Sequence, residues 1–76
     1  MKELIEYIAK SLASSPEEVK VTEISEEEGQ VILRLEVAED DKGKIIGRQG
    51  RVAQAMRVLL RVRAVKEDVR ASLEII

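Results

Sequence analysis

The chain has 76 residues, and 37 % of them are charged, 13 Lys and Arg against 15 Asp and Glu. With no cysteine and no histidine, it can hold no disulfide, no thiolate or imidazole metal site and no imidazole-based triad. Its one aromatic residue, Tyr7, leaves the core aliphatic, and its length is that of a single domain, residues 1–76.

The net charge of −2 hides a division. Residues 1–41 carry 4 Lys and Arg against 12 Asp and Glu, and residues 42–76 carry 9 against 3. A basic back half behind an acidic front half gives one surface that attracts polyanions and one that they avoid. The same charge content also fits a solvated, salt-bridged exterior of the thermophilic kind; the glycine turn within the basic half weighs against that reading. The opening MKELIEYIAK mixes charge throughout and lacks the apolar stretch of a signal peptide. No run approaches a membrane span in length. A cytoplasmic protein that needs no membrane is the expectation.

Residues 2–13 have helical periodicity, with Leu4, Ile5, Ile8 and Leu12 on one stripe. Glu6 precedes Lys10 by four residues, the favourable order for an exposed pair. Ser14 and Ser15 end the helix, and Ser15, Pro16 and Glu18 make a capping box around a single turn. Residues 19–25 read as a strand in which Val19 and Val21 alternate correctly. Ile24 falls out of phase, a slip that a bulge or an edge position accounts for. Glu26, Glu27, Glu28 and Gly29 form a turn, with Gly29 supplying positive φ. Residues 31–37 are the clearest strand: Val31, Leu33, Leu35 and Val37 share one face, and Ile32, Arg34 and Glu36 the other. The two strands form an antiparallel hairpin.

Glu39, Asp40 and Asp41 follow. Paired carboxylates can serve acid–base chemistry or bind a hard cation, but no further acidic residue stands at a spacing that completes a metal site. They read instead as caps that neutralise the start of a short helix from Asp41 to Ile46. A longer helix runs from Arg51 to Lys66, its buried side formed by Val52, Ala55, Met56 and Leu59, with Leu60 and Val62 at the margin. Arg57 and Arg61, four apart, project together and either extend a positive surface or are simply solvated. Residues 69–75 alternate again, with Val69, Ala71, Leu73 and Ile75 on one face. The whole is α+β in the order α-β-β-α-α-β: a three-stranded mixed sheet backed on one face by three helices. A helical crossover joins the second and third strands, which run parallel if they are neighbours.

Between the last two helices lie Gly47, Arg48, Gln49 and Gly50. Glycine at both corners admits positive φ and close approach of another backbone. The helix behind the turn points its unpaired N–H groups and the positive end of its dipole back into it. Arg48 and Arg51 add full charge, and Lys44 stands just upstream. The turn suits an anion, with a phosphodiester the natural candidate. The plainer reading is a tight helix–turn–helix connection.

The run Ile45, Ile46, Gly47, Arg48, Gln49, Gly50, Arg51, Val52 resembles the signature of the KH domain, whose GxxG loop clamps the backbone of about four nucleotides. VAEDDKGKIIGRQGRVAQAMRVLL and the closing VRASLEII are similar to the KhpA family of stand-alone bacterial KH domains. The resemblance covers the whole chain. It implies a type II KH domain, with the additional helix and strand ahead of the βααβ core. It also implies single-stranded RNA binding, with RNA chaperoning or post-transcriptional regulation as the role. The implied partners are a second copy, or a larger KH-containing protein, KhpB (Jag). The RNA-binding residues it implies are Lys44, Ile46, Gly47, Arg48, Gln49, Gly50, Arg51 and Val52. Phosphates would rest on the N–H groups of the turn beside Lys44, Arg48 and Arg51. Bases would lie across Ile46 and Val52, with Leu33, Leu35 or Arg34 as candidates on the strand side. Ile45 and Ile46 cannot both face RNA, so one belongs to the core. Gln49 departs from the two basic residues often found inside this loop.

The scarcity of aromatic residues counts against an RRM or an OB-fold, which stack bases on rings. Two rival readings stand beside RNA binding: a protein-interaction module of KH-like fold acting through homo- or heterodimerisation, and a nucleotide-handling enzyme. The glycine spacing fits neither a Walker A loop nor G-x-G-x-x-G, and no His, Cys or acidic cluster accompanies the turn. The expectation is a non-enzymatic protein without a cofactor.

Overall fold

The computed structural model describes residues 1–27 and 29–76. Helix α1 (Lys2–Leu12) leads through a 3-10 turn (Pro16–Glu18) into strand β1 (Lys20–Glu27), which pairs antiparallel with β2 (Gln30–Glu36). A second 3-10 turn (Glu39–Asp41) opens the short helix α2 (Lys42–Ile46). The tight turn Arg48–Gly50 then starts α3 (Arg51–Lys66), and β3 (Arg70–Ile75) closes the sheet. The strand order is β1-β2-β3, with β3 parallel to β2.

Alternation decides the two faces of the sheet. Val21, Leu33, Leu35 and Leu73 are buried on one face, where Ile5 and Ala9 of α1, Ile45 of α2, and Met56 and Leu60 of α3 complete the core. On the other face, Arg34 of β2 donates to Glu74 of β3 at 2.8 Å. This is an exposed cross-strand pair of the kind that contributes about 0.2–1 kcal/mol. Ile24 is not displaced by a bulge. It pairs with Ile32, both half-buried on the helix-free face, and the register shift comes only after Ser25. Of the expected hairpin turn, Glu26 and Glu27 belong to the strand, Gly29 has φ +80°, and Glu28 lies outside the described residues.

The helix stripes hold in part, with Ile5 and Ile8 of α1 and Met56 and Leu60 of α3 at the core as expected, and depart elsewhere. On α1, Ile5 and Ala9 are fully buried while Leu12 is exposed. On α3, the inward stripe is Ala53, Met56, Leu60 and Ala64. Ala55, Leu59 and Val62 face solvent, and Val52 is half-buried. Alanine on the inward side lets α3 approach its neighbours closely, which leaves its branched residues outside. The Glu6–Lys10 pair forms at 4.0 Å. No helix among the described residues is long and apolar enough to cross a membrane.

Candidate nucleic-acid interface

Asp41 does not cap α2. Its side chain makes no capping hydrogen bond to that helix and reaches back to the α1–β1 connection instead. The N–H of Ser14 donates to Oδ1 at 2.9 Å and the N–H of Ser15 to Oδ2 at 3.0 Å. This also displaces the expected capping box, because Ser15 makes no side-chain cap bond at its own turn. Asp41 is 1 % exposed, the one buried charged residue among those described. The Ser14 N–H, then that of Ser15, hold its carboxyl below the ordinary carboxylate pKa. Burial opposes them, and the Lys44 ammonium and Ser14 hydroxyl assist. A depressed carboxyl stabilises the fold above its unfolded pKa of about 3.9. That contribution is lost as pH falls through the lower, folded value. Thermal midpoints recorded across the acid range should therefore fall below about pH 4. The Asp41→Asn variant should be less stable at neutral pH and lack this part of the decline. If Asp41→Asn melted with the wild type at neutral pH, that would count against the tie.

α2 ends where the Gly47 N–H bonds to the carbonyl of Gly43 at 2.9 Å. Gly47 then takes φ 80°, ψ 169°, a region open essentially to glycine alone. A Cβ there would stand 2.4 Å from Cγ2 of Val52 and 2.8 Å from its backbone nitrogen. Gly50, at φ 73°, ψ 15°, is left-handed but faces open space. Between them Gln49 is also left-handed, at φ 58°, ψ 25°, an uncommon state for a residue with a long side chain. Sequence reasoning assigned positive φ to the two glycines and missed Gln49, whose type gives no such signal.

The turn's N–H groups divide. Those of Gly50 and Arg51 fold back onto the carbonyls of Gly47 and Arg48. Those of Arg48 and Gln49 meet no acceptor among the described residues, and no carboxylate among those residues occupies them. The side chains of Arg48 and Gln49 are exposed, and Oε1 of Gln49 accepts from Arg51 at 3.3 Å, leaving its NH₂ outward as a donor. Arg48 and Arg51 at the start of α3 oppose its dipole, each at a cost of about 0.3–1 kcal/mol. A bound anion would reverse that sign.

Ile45 is fully buried and Ile46 is 41 % exposed beside the turn, which assigns the core role to the first. Val52 packs under Gly47. Lys44 stands apart from the turn: its ammonium donates to Oγ of Ser14 and lies 3.9 Å from Oδ1 of Asp41. Leu33 and Leu35 are fully buried in the central strand, and Arg34 is spent on Glu74, so none of the three lines a groove. The strand beside α3 is β3. Its even residues bond to β2, as in Arg70 N–H to Gly29 at 2.7 Å and Ile76 N–H to Leu35 at 3.0 Å. The odd residues thus turn their backbone groups to the free edge. Arg57 reaches that edge and donates to the Leu73 carbonyl at 3.4 Å. Arg57, Leu60, Arg61, Ala71, Ser72 and Leu73 enclose a depression of about 180 Å³. Arg57 is therefore partly committed to the strand, and Arg61 is exposed.

The α-β-β-α-α-β order, the mixed sheet backed by helices and the glycine-cornered turn between α2 and α3 define a type II KH domain. The family model described as KhpA/KhpB, KH domain, matches residues 2–75, and the chain belongs to that family. It is 51 % identical over 76 residues to the RNA-binding protein KhpA of Clostridium acetobutylicum, covering all of both chains. It is 50 % identical to that of Clostridium perfringens, again over the full length of both. The KhpA of Caldanaerobacter subterraneus subsp. tengcongensis is 47 % identical over 76 residues, also with full coverage of both. Among solved structures, the crystal structure of an Aquifex aeolicus Era variant bound to GDP·AlF4⁻ superposes with a TM-score of 0.64 at 18 % identity. The match covers 97 % of this chain and 28 % of that one, a likeness of fold alone.

Proposed function

We propose that this protein binds single-stranded RNA in the cytoplasm, as an RNA chaperone or post-transcriptional regulator. It holds the sugar-phosphate backbone at the Gly47–Gly50 turn. The observation that carries the reading is the pair of open N–H groups on Arg48 and Gln49, set at the positive end of α3 between two arginines without carboxylate partners among the described residues. Phosphate oxygens suit such a cradle, with Ile46 and Val52 offering aliphatic surface to a base. The full-length relatives named RNA-binding proteins support it. Binding needs no cofactor, and the reading is of a non-enzymatic protein. Anisotropy titration with short single-stranded RNA tests it, with a nucleotide-hydrolysis assay as the control for catalysis.

A second reading operates alongside the first, because α3 exposes Ala55, Val58, Leu59, Val62 and Val65, with Val62 at 54 %. An outward strip this apolar invites a partner. A second copy fits it. Antiparallel pairing about Leu60 sets Val58 against Val62 and Ala55 against Val65, and brings Arg51 of one copy toward the acidic Glu67 and Asp68 that end the helix in the other. A larger KH-containing protein of the KhpB kind is the alternative occupant. Light scattering should return a dimer mass for the wild type and a monomer for Val62→Asp, with an unchanged circular dichroism spectrum. A wild-type monomer at high concentration would remove the self-pairing.

A further inference from the structure

Three cations flank or occupy the turn: Lys44, Arg48 and Arg51. Among the described residues only Lys44 has a carboxylate partner. Its ammonium donates to the Ser14 hydroxyl and lies 3.9 Å from Asp41, which is itself fixed by the Ser14 and Ser15 N–H groups. The direction of that pull matters. Asp41 immediately precedes α2 and the turn follows its last residue. Five helical residues rise about 7.5 Å, and helical side chains lean toward the N-terminus of their helix. The Lys44 charge is thus drawn to the end of α2 remote from the open N–H groups of Arg48 and Gln49.

We infer that Ser14 is a catch that holds Lys44 away from the phosphate site in the free protein. Two cations and two amides receive the RNA backbone, and the third cation stays with Ser14 and Asp41. The inference rests on the RNA-binding reading above. Ser14 can be tested, because its hydroxyl holds Lys44 and gives Asp41 only the smallest of its supports, while its backbone N–H carries the main bond to Asp41. Removing the oxygen takes away the one hydrogen bond that the Lys44 ammonium makes among the described residues, leaves it only the 3.9 Å ion pair to Asp41, and keeps the bond that supports the fold.

The experiment titrates a labelled short oligouridine against wild type, Ser14→Ala, Ser14→Thr, Lys44→Ala and the Ser14→Ala/Lys44→Ala pair over a range of salt concentrations. One more phosphate neutralised on a single strand steepens the plot of log K against log salt by about 0.7, which is about fivefold in affinity at about 0.1 M salt. Ser14→Ala should show that gain and that steeper slope, and Ser14→Thr, which keeps the hydroxyl, should show neither. Lys44→Ala alone should leave the slope nearly unchanged, yet erase the gain when added to Ser14→Ala. The catch is overturned if Ser14→Ala binds no tighter than wild type, or if Lys44→Ala alone already flattens the slope by about 0.7. An Arg48→Asp/Gln49→Asp control separates the two failures. If that control binds like wild type, the RNA reading falls and the catch falls with it. If it loses binding while Ser14→Ala gains nothing, only the catch is wrong.

Discussion

Replacing Arg48 and Gln49 together by aspartate is expected to abolish RNA binding while the protein melts at or slightly above the wild-type temperature. The two changes remove one positive charge and add two negative ones, directly beside the two amides left open for a phosphate. At about fivefold per charge near 0.1 M salt, the loss is on the order of a hundredfold. The fold should not suffer. Both side chains are exposed, and the one contact given up is the exposed bond from Arg51 to Gln49. Aspartate tolerates the left-handed backbone at position 49 better than glutamine does. Two carboxylates ahead of α3 also suit its dipole, where Arg48 opposed it. Anisotropy and a circular dichroism melt read both halves of the result. Binding that survives the double change would refute a grip by this turn.

The second large effect is on stability. Gly47→Ala should remove roughly half of the folding free energy. The backbone at φ 80°, ψ 169° costs a residue with a Cβ about 1–3 kcal/mol. The clash with Val52 adds about 1–3 kcal/mol more. One atom of that clash is the Val52 backbone nitrogen at 2.8 Å, which cannot swing aside because it belongs to the first turn of α3. Against these stands a total stability of about 4–11 kcal/mol for a chain of this length. Gly50→Ala meets open space and has only its left-handed backbone to bear, about 1–2 kcal/mol. Urea titrations of the two variants should differ plainly, and equal midpoints would defeat the argument. Val52→Ala in the Gly47→Ala background should recover only a small part of the loss, since it removes Cγ2 but keeps the Val52 Cβ and nitrogen that also stand too close.

What the sequence made legible follows from how local the determinants are. The alternation of Val31, Leu33 and Leu35 in β2, and of Ala71, Leu73 and Ile75 in β3, specified the sheet face because each residue's side is set by its neighbours in the chain. The bounds of α3 were legible for the same reason. Its orientation was not. With apolar residues on two sides of the helix, rank of hydrophobicity favoured Leu59 and Val62. Packing chose Ala53 and Ala64, which admit close approach. Asp41 was misread because a carboxylate ahead of a short helix looks the same whether it caps that helix or reaches the Ser14 amide 27 residues back. Within the turn, the glycines marked the site, and only coordinates separated the two open amides from the two that are used.

The parallel pairing of β3 with β2 joins residues 40 positions apart, and the α2–turn–α3 segment lies wholly inside the loop that this pairing closes. Closing so long a loop carries an entropic penalty that the local β1–β2 hairpin escapes. The arrival of the last six strand residues is therefore what confines the intervening helices. Assembly of the binding surface and completion of the sheet are one event, so a chain still lacking its final strand would have its hairpin without a hand to hold RNA.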